Sequence, residues 1–163
     1  MSKLYDAKVM NAFVDGVSNV IKTMCGMDLT LGKPSLKKTP KTTGDISGCI
    51  DLHSSGQNGI VLLSFSKGAI LLIVSRMLSE EKTWINKEVK DAVGELTNMV
   101  AGDSRKNLAA LGFNFQAGIP VVIVGVEHEI YTKVSQKAPV LSIPFATANA
   151  HSFSLDFAFE ERK

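Results

Sequence analysis

Two carboxylates and a carboxamide recur at helical spacing in residues 91–104, DAVGELTNMVAGDS: Asp91, Glu95 and Asn98, with Gly102 one turn further on. Carboxylates accept hydrogen bonds and pair with cations, and a carboxamide carries an acceptor and two donors on one plane. At about 100° per residue, Val89, Val93, Leu96 and Val100 fall within an arc of roughly 60° that suits burial. Asp91, Glu95, Asn98 and Gly102 fill a second arc of roughly 60°, centred about 160° from the first. Gly94 and Gly102 flank the polar groups, each at about 1 kcal/mol of helix stability relative to alanine. In return a glycine leaves a surface low enough for another backbone or a bulky group to approach. Asp91 and Glu95, one turn apart, repel weakly, and Arg105 can offset this only at long range. Periodicity alone leaves two readings open, the solvated side of a helix or a presented site.

The helix that carries this row is expected from Lys87 to about Leu111, capped by Asn86 and ended by Gly112. Upstream, Met10, Phe13, Val17, Val20, Ile21 and Met24 mark one buried stripe of a first helix over residues 4–25, with Gly26 as its stop. Residues 30–45, TLGKPSLKKTPKTTGD, read as an exposed loop, lysine-rich over 33–41. Ile46, Gly48, Ile50 and Leu52 then share one face of a strand. SSGQNG leads back into IVLLSF, so the two form a hairpin. Ser66 caps KGAILLIVSRMLS, a helix apolar on most sides and expected to be well buried. In the last third, IPVVIVGVEHEIY is a strand opened by Pro120, and VLSIPFA is a second. HSFSLDFAFEE alternates as an antiparallel strand with one wet face. The expected fold class is α/β (α+β): one domain, residues 1–163, with long amphipathic helices on a largely antiparallel sheet. Val89, Val93, Leu96 and Val100 slide onto Phe13, Val17, Val20 and Met24, which fits an internal pseudo-two-fold repeat and equally fits two unrelated amphipathic helices.

The 163 residues suffice for a real core, and 45% hydrophobic with 21% charged residues is the composition of a globular protein. A formal charge of +2 gives no footprint for nucleic acid or an anionic membrane. Cys25 and Cys49 form no CxxC pattern, so free thiols in a reducing cytoplasm are expected. No apolar run approaches a membrane span, and His53, His128 and His151 lie in or beside strands as structural or surface residues.

The spacing Asp91-x-x-x-Glu95-x-x-Asn98 in a long amphipathic helix, then LGFNF and Pro120, resembles the CheC/CheX family of chemotaxis phosphatases. The resemblance spans nearly the whole chain. It implies removal of the phosphoryl group from the aspartate of a phosphorylated response regulator, CheY, with Glu95 and Asn98 as the working pair. CheC-type members carry a second motif on the first helix. The aligned positions here read Asp15, Asn19 and Lys22, so a single site of the CheX type is implied, in a homodimer formed through the sheet.

An acyl phosphate is already activated, and what remains is a water held in line, where positioning is worth up to about 7–11 kcal/mol. Asn98 would orient that water. Glu95 would pair with a partner lysine, Asp91 would assist at the rim, and Gly94 and Gly102 would admit the partner. Mg2+ would belong to the response regulator, and no cofactor is expected on this chain. Two rival readings remain: a CheX-like interaction module without phosphatase activity, and a small-molecule domain using the basic loop at 33–41, which lacks a phosphate-cradling glycine motif.

Overall fold

The computed structural model describes residues 3–38, 40–130 and 132–162. A 3-10 turn, Lys3–Tyr5, leads to α1, Ala7–Cys25, which Asp6 opens by accepting from the Val9 amide at 3.0 Å. Gly26 closes it at φ 64°, a left-handed conformation that glycine adopts without penalty. The helices α2, Lys67–Leu78, and α3, Lys87–Ala110, start at the expected caps, Ser66 and Asn86. Gly112, at φ 94°, turns the chain away after α3.

The strands are β1 Thr30–Leu31, β2 Ser35–Lys37, β3 Ile46–His53, β4 Gln57–Phe65, β5 Gln116–Ala117, β6 Val121–Val124, β7 Val140–Ala146 and β8 Ser152–Glu161. They form one sheet in the order β1-β7-β8-β4-β3-β5, with β2 also on β7 and β6 also on β3. Every strand pair described is antiparallel. The hairpin register, Ile46 opposite Phe65 through His53 opposite Asn58, puts Ile46, Gly48, Ile50 and Leu52 on one face as expected. That face joins Val61, Leu63, Phe65, Leu155 and Phe157 in a core beneath the helices. Phe13 of α1 stacks on Phe157 with ring centroids 4.5 Å apart.

Several expectations are corrected. Residues 30–45 are not loop throughout, because β1 and β2 pair with β7. Neither shows alternation in the sequence; partner strand and tertiary contact impose them. The long strand expected over 119–131 ends at Val124. Gly125 at φ 108° and Glu127 at φ 56° turn the chain out of the sheet, and Tyr131 lies outside the described residues. The chain then crosses the other face of the sheet, burying Ile130, Val134 and Ala138 against Cys49, Ile60, Leu62 and Ala158. The expected wet face of β8 is covered at its middle: Asp156 and Ala158 are buried, Ser154 and Glu160 are half-buried, and Ser152 at its start is exposed. Helix α2 is less buried than its composition suggests, with Ala69, Ile70, Ile73 and Val74 inside but Leu78 exposed. Strand β5 has only two residues, too few to leave a pattern.

Candidate active site

Helix α3 lies on β3 and beside α1, and both neighbours restrict how it can roll. Val89, Val93 and Leu96 are fully buried and Val100 nearly so, while Asp91, Glu95, Asn98 and Gly102 are all exposed. The two arcs of the helical projection are therefore the buried and open faces of the folded helix. On the α1 side, Asn107 Nδ2 donates to the Ala12 carbonyl at 3.0 Å, and Asn19 bonds Asp103. On the other side Gly94 is half-buried over β6, where an added Cβ would meet Val122 Cγ2 at an ordinary 3.5 Å. Gly94 thus flanks the row. Gly102 lies within it, and a Cβ there would meet nothing within 4 Å.

Among the described residues, the side chains of Glu95 and Asn98 make no hydrogen bond or ion pair within this chain. Asp91 is drawn to Lys87 Nζ at 3.3 Å, with both side chains well exposed, an (i, i+4) pair of small value. Arg105, expected to offset the acidic row, points elsewhere, its Nε donating to the Phe115 carbonyl at 2.9 Å. It thereby fastens the turn after α3. A depression of about 370 Å³ lined by Gly102, Arg105, Lys106, Ala109, Asn114 and Phe115 continues the open face toward the C-terminal end. No sequence pattern marks it, because Asn114 and Phe115 return to the helix only through the turn at Gly112.

Other chemistry-bearing groups are spent on structure. Both cysteines are free and buried, and burial pushes the Cys25 thiol up to about 11 and the Cys49 thiol up to about 12. At neutral pH both stay protonated and unreactive. His53 Nε2 meets Gln116 Oε1 at 3.2 Å, and the His151 ring covers Gly68 at the start of α2. No group of three or more His, Cys, Asp or Glu among the described residues is placed to hold a metal ion. No helix among them is long and apolar enough to cross a membrane. Asp15, Asn19 and Lys22 of α1 build no second row, since Asn19 is tied to Asp103 and Lys22 pairs with Asp28 at 3.1 Å.

An unengaged carboxylate and amide, presented one turn apart on the open face of a helix rather than inside a cleft, suit a macromolecule brought to the surface better than a small molecule that must be enclosed. Residues 46–146 match the family "Chemotaxis phosphatase CheX". The CheY-P phosphatase CheX of Thermotoga maritima is 27% identical over 151 residues, covering 92% of this chain and 94% of that protein. The crystal structure of the chemotaxis protein CheX from Vibrio vulnificus is 35% identical with a TM-score of 0.83, over 94% of this chain and 100% of that one. The CheX–CheY–BeF3–Mg2+ complex from Borrelia burgdorferi contains the same fold, at TM-score 0.76 and 24% identity over 94% of this chain and 98% of that one. This chain belongs to the CheX family of chemotaxis phosphatases.

Proposed function

We propose that this chain hydrolyses the aspartyl phosphate of a CheY-like response regulator, using Glu95 and Asn98 as its working pair. The observation that carries the reading is the open row on α3, in a chain of a phosphatase family, with both side chains unengaged. The names borne by the Thermotoga maritima relative and by the Borrelia burgdorferi complex supply the substrate class and the partner.

Hydrolysis of an aspartyl phosphate needs water to attack phosphorus in line with the departing carboxylate. One P–O bond forms and one breaks, releasing inorganic phosphate and the free aspartate. The protein's contribution is largely position and electrostatics. A planar carboxamide suits this task, because its oxygen accepts from the water while its nitrogen donates to a neighbouring oxygen. A helix also delivers Asn98 with less uncertainty in approach than a loop would. Glu95 repels the phosphate and so is assigned to a cation of the regulator, a lysine beside the phosphorylated aspartate. Asp91 stands at the rim, where releasing Lys87 would free it to assist docking. Gly94 and Gly102 keep the helix low beneath the partner. The Mg2+ of the reaction is assigned to the regulator, the working form of this chain to a homodimer joined through the sheet, and its compartment to the cytoplasm.

Mixing the chain with a phosphorylated CheY-like regulator and following phosphate release tests the reading. Asn98→Ala should lower turnover on the order of 100-fold or more while leaving regulator binding largely intact. Glu95→Ala should weaken both binding and turnover. Full turnover in both variants would remove the assigned site. A wild-type chain that binds the phosphorylated regulator without releasing phosphate would point instead to the interaction-module reading.

A further inference from the structure

Between the two exposed residues of the row sits Thr97, which has no solvent exposure at all. Its Oγ1 donates to the Val93 carbonyl one turn back at 2.7 Å, so the hydroxyl is satisfied inside the helix and its rotamer is fixed. The side chain rests on Gly48 in the middle of β3. A Cβ at position 48 would overlap Thr97 Oγ1 and lie 2.9 Å from its Cβ and 3.3 Å from its Cγ2. β3 cannot yield easily, because β4 pairs along one side of it and β5 and β6 along the other. A second close approach follows along the helix: a Cβ on Gly16 of α1 would stand 2.5 Å from Ser104 Oγ and 3.1 Å from its backbone nitrogen. By contrast Gly94 and Gly102 are not demanded by packing within this chain. The glycines around α3 thus divide into two whose place a side chain could not take, Gly48 and Gly16, and two where a Cβ would fit, Gly94 over β6 and Gly102 in the open.

We propose that Gly48 and Thr97 are positioning residues for the phosphatase reaction, forming the seat that sets the height and roll of Glu95 and Asn98 above the sheet. The inference rests on the function proposed above. Neither residue touches the water or the phosphate. A stable protein interface covers about 800 Å² per partner, more than the row of one helix provides, so the regulator must also meet elements beside α3. Lifting α3 then moves Asn98 relative to the docked phosphate rather than moving the whole complex. A misplacement of about 1 Å is worth a factor on the order of 100 in rate.

The test is a methyl-sized exchange across the contact. Gly48→Ala lifts the helix and Thr97→Ala leaves a void beneath it. Each should lower kcat by about tenfold or more, with KM held within about threefold. The double variant Gly48→Ala/Thr97→Ala moves the volume from one side to the other and should regain most of kcat, and Thr97→Ser, which keeps the hydroxyl, should stay nearest to wild type. Thermal melting of each variant records stability separately from rate. If Gly48→Ala does not fold, the Thr97→Ala and Thr97→Ser pair still decides. Wild-type kcat in a folded Gly48→Ala or in Thr97→Ala, or a double variant slower than either single one, overturns the proposal. Asn98→Ala is assayed alongside. If it loses turnover while Gly48→Ala does not, only the positioning role fails; if Asn98→Ala retains full turnover, the proposed function falls and this inference with it.

Discussion

At the scale of single residues, the open row and the glycines within it make separable demands. Gly102 is exposed, sits in the helix interior and has empty space where a Cβ would go. Gly102→Ala should therefore stabilise the chain by about 1 kcal/mol, read from chemical denaturation. If the glycine is kept for the partner, a bulky replacement should separate the two effects. Gly102→Trp should raise KM for the phosphorylated regulator by roughly tenfold, equivalent to about 1.4 kcal/mol of docking, without unfolding the chain. An unchanged KM would show that the regulator does not approach at this position. The row itself was legible because a period of 3.6 residues sorts Val89, Val93, Leu96 and Val100 from Asp91, Glu95, Asn98 and Gly102 before any tertiary contact is known. The Gly48–Thr97 seat was not. Gly48 looked like an ordinary member of an alternating strand face, and Thr97 like one more residue on the flank of a helix. Their contact exists only because the fold brings α3 down onto β3.

At the scale of elements, the helix caps and the hairpin were legible for local reasons, and the cover on the second face of the sheet was hidden for non-local ones. Asn86, Ser66 and Gly26 act through bonds to residues at most four positions away, so their signals survive in the sequence. The polar positions of β8 looked wet because Ser154, Asp156 and Glu160 alternate with phenylalanine and leucine. In the fold, Asp156 is nearly inaccessible, and Lys37 of β2 reaches it at 2.7 Å. The lysine-rich segment thereby supplies the cation that allows a carboxylate to be buried on that face. Lys37 keeps about a quarter of its side chain in solvent, with 23% exposed, so the pair is partly screened. Lys37→Met should still destabilise the chain by about 2–3 kcal/mol, because it leaves the carboxylate uncompensated. Lys37→Met/Asp156→Leu should recover most of that loss in urea denaturation. A Lys37→Met chain as stable as wild type would mean that solvent reaches Asp156 and that the ion pair does not hold β2 in place.

At the scale of the whole molecule, the edge of the sheet beside α3 has no strand partner among the described residues. β6 pairs with β3 on one side only, and it carries Val121 and Val124 at 57% and 50% exposure. Ile119 before it is 87% exposed and Val126 after it 54%. An open strand edge with apolar flanks invites pairing with another strand, and here no proline or charged side chain within VVIV blunts it. Val121 and Val124 lie on opposite faces of the strand, so pairing along this edge would cover apolar surface above and below the sheet at once. These features are compatible with the proposed homodimer, whose contact we assign to β6, a single edge that two copies could share about a two-fold axis. Light scattering in solution should give twice the mass of the 17.6 kDa chain. Val121→Lys/Val124→Lys should shift the chain to monomer, since two buried charges of like sign would face their copies across the axis. The wild-type chain behaving as a monomer would exclude the dimer, and a double variant that stays dimeric would move the interface away from β6. Because α3 lies next to this strand, the same variant reports on catalysis: turnover kept in the monomer places the whole site within one chain, and turnover lost with monomer formation means that the second copy helps to hold the regulator.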